Sequence, residues 1–216
     1  MKLNNPFPGT ILSKYPTGNI YQFFGENPEL YAAAVPGLHG HNGIDVIPSD
    51  GKAGHPLVAA ANGKIVAIKD TPTGYGKHIR IVTDPDEVGK QYELVYGHCE
   101  SISVTLNQRI LRGDEIGSVG NTGFVISGNT PYWGNAPAGK GVHLHFGIRP
   151  LSPKGATWNT QYPGGDCYII DNYPGLYLGS IDPMPFLVDK QALIISIMQR
   201  LVELYKQYIA AKLKGR

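Results

Sequence analysis

Between residues 56 and 120 the chain is a succession of short β-prone runs separated by turn formers. "PLVAA", "GKIVAIKD", "KHIRIVTD", "QYELVYGH" and "DEIGSVG" are each too short for a typical helix. "NG", "TGYG", "DPDEVG" and "RGD" punctuate them. Runs of this length joined by Gly, Asn and Asp turns predict antiparallel strands linked by hairpins. "NGKIVAI" alternates only in part, the texture of a sheet with one buried face. The 28 Gly and 17 Pro likewise favour turns over a helical bundle. The expected class is all-β, an antiparallel core, plus one C-terminal α-helix.

That helix is the only strongly periodic segment. Ile194, Ile197, Met198, Leu201, Leu204, Tyr205, Tyr208 and Ile209 recur at spacings of three and four. Residues 187–216 are therefore expected to form an amphipathic, basic helix. Residues 189–216 carry a net charge of +4, which leaves −2 for the rest of the chain. The tail suits packing on the body, a weak contact with an anionic surface, or self-association. Residues 1–38 read as an irregular N-terminal wrap, in which "ELYAAAV" is either a helical turn or a short strand. The central unit is expected over 39–186, with loop insertions at 124–142 and 150–180.

A formal net charge of +2 gives no general reason to expect nucleic acid. No apolar stretch is long enough to span a bilayer, and the start "MKLNNPFPGT" shows no signal peptide. Cys99 and Cys167 can pair, but two cysteines are no disulfide framework. There is no HExxH, CxxC or GxxxxGK[ST] sequence. Cys99 adjoins His98, but neighbours on a strand face opposite ways, which argues against a Cys–His nucleophile.

Chemistry concentrates in two segments. In "GKGVHLHFGIRP", His143 and His145 stand two apart on an expected strand and so share a face. Burying two imidazoles without polar partners is costly, so a groove floor suits them better. In "HGHNGIDVIP", His41 and Asp45 are four apart and again share a face if extended, while Asn42-Gly43 can turn. Imidazole nitrogen and carboxylate oxygen both suit zinc. His41, Asp45 and His145 can supply three ligands and leave a fourth position open. In "YELVYGHCE", His98 follows an expected strand. His39 is read as a groove-edge histidine, and His55 and His78 as structural or exposed. Asp114 belongs to a hairpin turn. Tyr75, Tyr132 and Trp133 either reach the groove or pin loops.

Together the segments resemble the lysostaphin/LytM-type zinc metallopeptidases, family M23. The likeness rests on "HNGID", "GHPLVAAANGKIVAI", "GYGKHIRI", "YGH", "LRGDEIGSVGNTG" and "HLHF", in the order expected of that family. The resemblance implies a groove-bearing antiparallel β core. It implies Zn2+ held by His41, Asp45 and His145, with His98 and His143 as catalytic histidines. It also implies cleavage of bacterial peptidoglycan peptides in stems or cross-bridges. The metal would polarise the scissile carbonyl and lower the pKa of water, while one histidine takes a proton and one stabilises the oxyanion. Action in the periplasm or outside the cell is expected, with phage or lysis-associated delivery open. A non-catalytic wall-binding or scaffold module, or a zinc peptidase for a non-wall peptide, are the alternatives. Two departures stand out: Cys99 replaces a customary leucine, and Gly147 stands where an acidic residue often follows HLHF.

Overall fold

A computed structural model of the protein describes residues 1–35, 38–153 and 158–188, together with Leu201, Val202 and Tyr205. In chain order the strands begin with β1 (Leu3–Asn4), β2 (Ile20–Gln22), β3 (Ile44–Val46), β4 (Pro56–Val58) and β5 (Gly63–Lys69). β6 (His78–Thr83), β7 (Gln91–Gly97), β8 (Cys99–Ile102), β9 (Arg109–Ile110) and β10 (Glu115–Val119) follow. The last are β11 (Val125–Ser127), β12 (Thr130–Tyr132), β13 (Leu144–Pro153), β14 (Thr160–Gln161), β15 (Cys167–Ile170) and β16 (Leu187–Val188). A single seven-residue helix, α1 (Pro28–Ala34), interrupts the N-terminal segment. The five runs read from the sequence as strands are β4, β5, β6, β7 and β10.

The main sheet has nine strands, with the path β14-β15-β13-β7-β6-β5-β9; β3 joins at β13, and β2 at β3. Every pairing within it is antiparallel. One face carries the larger core: Ile65, Ile79, Ile81, Leu94, Tyr96, Leu144, Phe146 and Ile148 all lie in it. Each such side chain contributes roughly 1.5–3 kcal/mol by leaving water. Tyr96 also accepts a hydrogen bond from the Ala60 backbone N–H at 2.8 Å, so its buried hydroxyl has a partner. A smaller cluster of Val66, Ala67, Val82, Leu151, Tyr162 and Ile170 covers the other face. Both faces are thus partly buried. A register shift between Ile65 and Ala67 adds a second disturbance to β5. These two features explain why its sequence alternates only in part.

The second face also holds charge. Glu93 on β7 is fully buried, paired with Arg149 on β13 and hydrogen-bonded by the Tyr162 hydroxyl. Arg80 on β6 lies 3.6 Å away. Burial pushes the Glu93 carboxyl up, but the two guanidinium groups outweigh it and hold it below the usual range.

Four expectations change. Residues 124–142 were expected as loop but contain the β11–β12 hairpin. Its strands are partly exposed, so they lack the alternation that marks a half-buried sheet. Residues 150–180 were likewise expected as covering loop, yet β15 pairs with β13 and extends the main sheet, with β14 at its edge. Residues 1–38 are more ordered than a wrap, since β2 pairs with β3. At the far end, Leu187–Val188 is not helical but pairs in parallel with β1. The rest of the expected C-terminal helix lies outside the described residues, except Leu201, Val202 and Tyr205, which are helical. No helix among the described residues is long and apolar enough to cross a membrane.

Candidate metal centre and active site

Strand register decides the site. β13 lies between β3 and β7, and its residue His145 pairs with Asp45 on one side and Gly97 on the other. Directly opposed residues on one face are close neighbours across a sheet. Two positions 100 apart in sequence are thereby brought together: His145 Nδ1 lies 3.2 Å from Asp45 Oδ1. His41, just before β3, completes the group. Its Nε2 lies 3.0 Å from Asp45 Oδ1 and 2.9 Å from His145 Nδ1. All three residues are buried. His143 shares the face of His145, as the spacing predicted, and its Nε2 lies 3.7 Å from Asp45 Oδ1.

Backbone carbonyls fix the rings. A carbonyl oxygen can only accept, so the facing ring nitrogen must carry the proton. His41 Nδ1 donates to the Phe23 carbonyl at 3.2 Å, and His143 Nδ1 to the Gly141 carbonyl at 2.8 Å. His98 Nδ1 donates to the Thr122 carbonyl at 2.7 Å. In the neutral form of each ring, Nε2 is then the nitrogen that keeps its lone pair. His98 directly follows β7, as the sequence suggested. It sits between β7 and β8 with φ of 62°, a conformation uncommon outside glycine. That kink sets its ring 4.5 Å from the His143 ring, centroid to centroid.

The electrostatics favour an ionised Asp45 and neutral His145 and His98. Burial would raise the Asp45 carboxyl, but its contacts with His41, His143 and His145 outweigh this and hold it well below the usual carboxylate range. Burial pushes the His145 imidazole down to about 4, with the His41 and His143 charges adding to it against Asp45. Burial, with the charges of His143 and His145, likewise holds His98 well below the ordinary histidine value. An ionised carboxylate and neutral imidazoles are the protonation states a metal ligand requires.

The donor set fits zinc. One oxygen and two imidazole nitrogens converge, at mutual separations of 2.9–3.2 Å. Ligands about 2.0–2.1 Å from one tetrahedral ion stand roughly 3.3 Å apart, close to this spacing. Three protein ligands also match the pattern of catalytic zinc, which keeps a position open.

Other side chains complete the site. The Tyr75 ring lies 4.8 Å from that of His145, and its hydroxyl accepts a hydrogen bond from Asn42 Nδ2 at 2.7 Å. Tyr31 on α1 stacks on His41 at 5.4 Å and 25°, and donates to Gln22 Oε1 at 3.2 Å. Neither Tyr31 nor the Phe23 and Thr122 carbonyls left a sequence signal. His145 Nε2 is buried without a hydrogen-bond partner among the described residues. A Cβ built on Gly147 would lie 3.5 Å from it, so glycine stands where a longer polar side chain would reach that nitrogen.

The remaining candidates stay outside. His39 is exposed, and His55 pairs with Asp50 at 2.8 Å. His78 is buried with Nδ1 donating to the Gly76 carbonyl at 2.8 Å. Asp114 accepts from the Leu111 N–H at 2.8 Å, a turn contact. Trp133 packs on Phe124 at 5.2 Å. Cys99 and Cys167 are unbridged; Cys99 fills core volume, and burial pushes its thiol up to about 12. A groove of about 710 Å³ runs beside the cluster, lined by His41, Asp45, Tyr75, His98, His143 and His145 among others.

The sequence model for peptidase family M23 matches residues 39–159. The chain belongs to this family. Among curated proteins of similar sequence, the outer membrane antigenic lipoprotein B of Histophilus somni is 32% identical over 133 residues, which cover 62% of this chain and 33% of that protein. The murein hydrolase activator NlpD of Salmonella typhimurium is 33% identical over 84 residues, 39% of this chain and 20% of that protein. The chain thus spans a third or less of the length of these relatives. Among solved structures, the antimicrobial peptidase lysostaphin from Staphylococcus simulans is 21% identical with a TM-score of 0.48, over 78% of this chain and 48% of that one. The family position and the His41–Asp45–His145 cluster agree with the M23 reading of the sequence.

Proposed function

We propose that this chain is a zinc-dependent endopeptidase that hydrolyses peptide bonds in the stems or cross-bridges of bacterial peptidoglycan. The observation that carries the reading is the convergence of His41, Asp45 and His145 into one buried donor set beside an open groove. His41 Nε2, Asp45 Oδ1 and His145 Nδ1 would hold the metal. Bound there, zinc supplies Lewis acidity toward a peptide carbonyl and a lower pKa for water. The chain's own residues supply the rest. His98 and His143 hold their Nε2 lone pairs by donating Nδ1–H to carbonyls, so either can accept a proton from the attacking water. Once protonated, the same nitrogen becomes a donor to a developing oxyanion or to the leaving amine. Peptidoglycan as substrate places the action in the periplasm or outside the cell.

The activator name carried by the NlpD relative favours a second reading, a non-catalytic module on the same fold. The complete donor set, with two further histidines beside it, favours the hydrolase. The two separate by experiment. The purified chain is expected to bind about one zinc and to release soluble peptides from purified peptidoglycan, identified by mass spectrometry. His145→Ala should lose the metal, whereas His143→Ala should keep it and lose turnover. Undiminished digestion by verified metal-free protein would refute the proposal.

A further inference from the structure

Among the histidines around the cluster, His145 is held differently. His41, His98 and His143 each donate Nδ1–H to a backbone carbonyl. His145 turns Nδ1 toward Asp45 and His41 instead, so its proton belongs on Nε2. That nitrogen is buried without a hydrogen-bond partner among the described residues. Metal-binding imidazoles ordinarily have such a partner, and it fixes the plane of the ring. Gly147, two residues on along β13, has no side chain to supply one.

Tyr75 is placed to hold the ring by other means. Its own ring lies 4.8 Å from that of His145 and 5.6 Å from that of His78, centroid to centroid. It packs over Gly97, where an added Cβ would stand 3.2 Å from His145 Cβ and 3.4 Å from Tyr75 Cβ and Cδ1. The Tyr75 hydroxyl accepts from Asn42 Nδ2 at 2.7 Å, and Asn42 follows His41. The Tyr75 carbonyl accepts from the His98 N–H at 2.7 Å. One residue thus touches the segments that carry His41, His98 and His145. The turn that bears it is itself locked. The Lys77 N–H donates to Thr122 Oγ1 at 2.9 Å, and the Phe124 N–H to the Gly74 carbonyl at 3.0 Å. Backbones meet there as well, since a Cβ on Gly76 would lie 2.3 Å from the Thr122 carbonyl carbon.

We propose that Tyr75 is a positioning residue: its ring fixes the His145 imidazole for metal binding, in place of the hydrogen bond that Nε2 lacks. The inference rests on the metal-centre reading of the same cluster and adds how one of its donors is oriented.

Zinc affinity, measured by competition with a chromophoric chelator, tests it on the full chain. Tyr75→Leu should bind zinc about tenfold or more weakly. Tyr75→Phe keeps the ring and should stay within about threefold of wild type. Absorption of the cobalt-substituted protein, which reports ligand geometry, should change in the leucine variant and not in the phenylalanine one. Gly147→Ser provides the decisive arm. Its hydroxyl is one bond beyond a Cβ that would lie 3.5 Å from His145 Nε2, so it can accept the orphan proton. Added to Tyr75→Leu, it should restore zinc affinity to within about threefold of wild type. Urea unfolding of the metal-free proteins separates a folding defect. A merely structural tyrosine would lower stability and zinc binding together, with no response to Gly147→Ser. Tyr75→Met, which fills much of the space without a ring, replaces the leucine variant if that one unfolds, and the same loss is expected. A folded Tyr75→Leu or Tyr75→Met protein with wild-type zinc affinity would overturn the proposal, as would a serine double variant no tighter than its parent. Zinc binding that follows this pattern without any peptidoglycan digestion would sink the hydrolase reading and leave the positioning role standing. Digestion by a variant series of equal zinc affinity would do the reverse.

Discussion

Gly43 lies between His41 and Asp45, and the structure makes it the most exacting position near the cluster. A Cβ built there would stand 2.6 Å from the Phe146 carbonyl oxygen and 2.8 Å from both Cε1 and Nε2 of His145. Ordinary contact begins at 3.4 Å, so Gly43→Ala falls short by about 0.6–0.8 Å. The backbone at Gly43 does not have a positive φ, so alanine meets no conformational strain of its own. The cost is contact alone. Phe146 lies within the β13 ladder, paired with Ile44 on one side and Tyr96 on the other, and its carbonyl is held there. The His145 ring must therefore move. A shift of about 0.6 Å exceeds the roughly 0.2 Å tolerance of a metal–ligand bond.

Two magnitudes follow. Overpacking should cost about 1–3 kcal/mol of stability. Zinc affinity should fall about 10–100-fold, as when an outer contact of a ligand is disturbed. Urea unfolding of the metal-free chain reads the first, and competition with a chromophoric chelator reads the second. Gly147→Ala is the control. Its Cβ would approach the same ring, but at 3.5 Å from Nε2, with Asn42 O at 3.4 Å and Val95 Cβ at 3.7 Å. These are ordinary contacts, so that variant should keep stability and zinc affinity close to wild type. A Gly43→Ala protein with wild-type affinity, or a Gly147→Ala protein equally damaged, would refute the steric reasoning.

His78 should make the fold acid-sensitive. Burial pushes its imidazole down to about 4, from an ordinary value of 6.5. Between those values the unfolded chain binds a proton that the folded chain does not, so this contribution is fully present above pH 6.5 and lost as pH falls toward 4. At about 1.36 kcal/mol per pH unit the loss reaches roughly 3 kcal/mol. Denaturation at pH 7 and pH 4 should show wild type losing that much more than His78→Gln, and parallel losses would count against it. Glu93→Ala should cost about 3–5 kcal/mol, because it strands the buried Arg149 guanidinium. Urea unfolding checks this, with zinc content expected to stay at the wild-type level; a loss below about 1 kcal/mol would contradict the buried-charge argument.

The parts of the site legible in the sequence are those governed by local geometry. The i, i+2 relation of His143 and His145 predicted a shared face, and both reach Asp45. The strands between 56 and 120 were legible because turn residues delimit them and their apolar residues have a core to face. What was not legible is long-range or irregular. That Asp45 opposes His145 depends on the β3–β13 register, which no local pattern encodes. The His98 kink at φ 62° is held from outside its own strand, by the Thr122 carbonyl. Strand β15 left no clear sequence signal because its residues "CYII" are mostly half-buried and sit among turn formers.

The N-terminal segment shows how far a site extends beyond its signature. Residues 39–159 carry the family likeness, yet the carbonyl that orients His41 belongs to Phe23. Without that acceptor the His41 ring loses the hydrogen bond that fixes its tautomer and leaves the Nε2 lone pair free for a metal. β2, which precedes Phe23, is itself fixed by pairing with β3, the strand that bears Asp45. The same segment supplies Tyr31 against the His41 ring and several residues that line the groove. The orientation of His41 and part of the groove lining are therefore built from one stretch of chain. A substitution in residues 15–35 that shifts this stretch on β3 should alter both properties, although none of those residues belongs to the candidate metal-donor set.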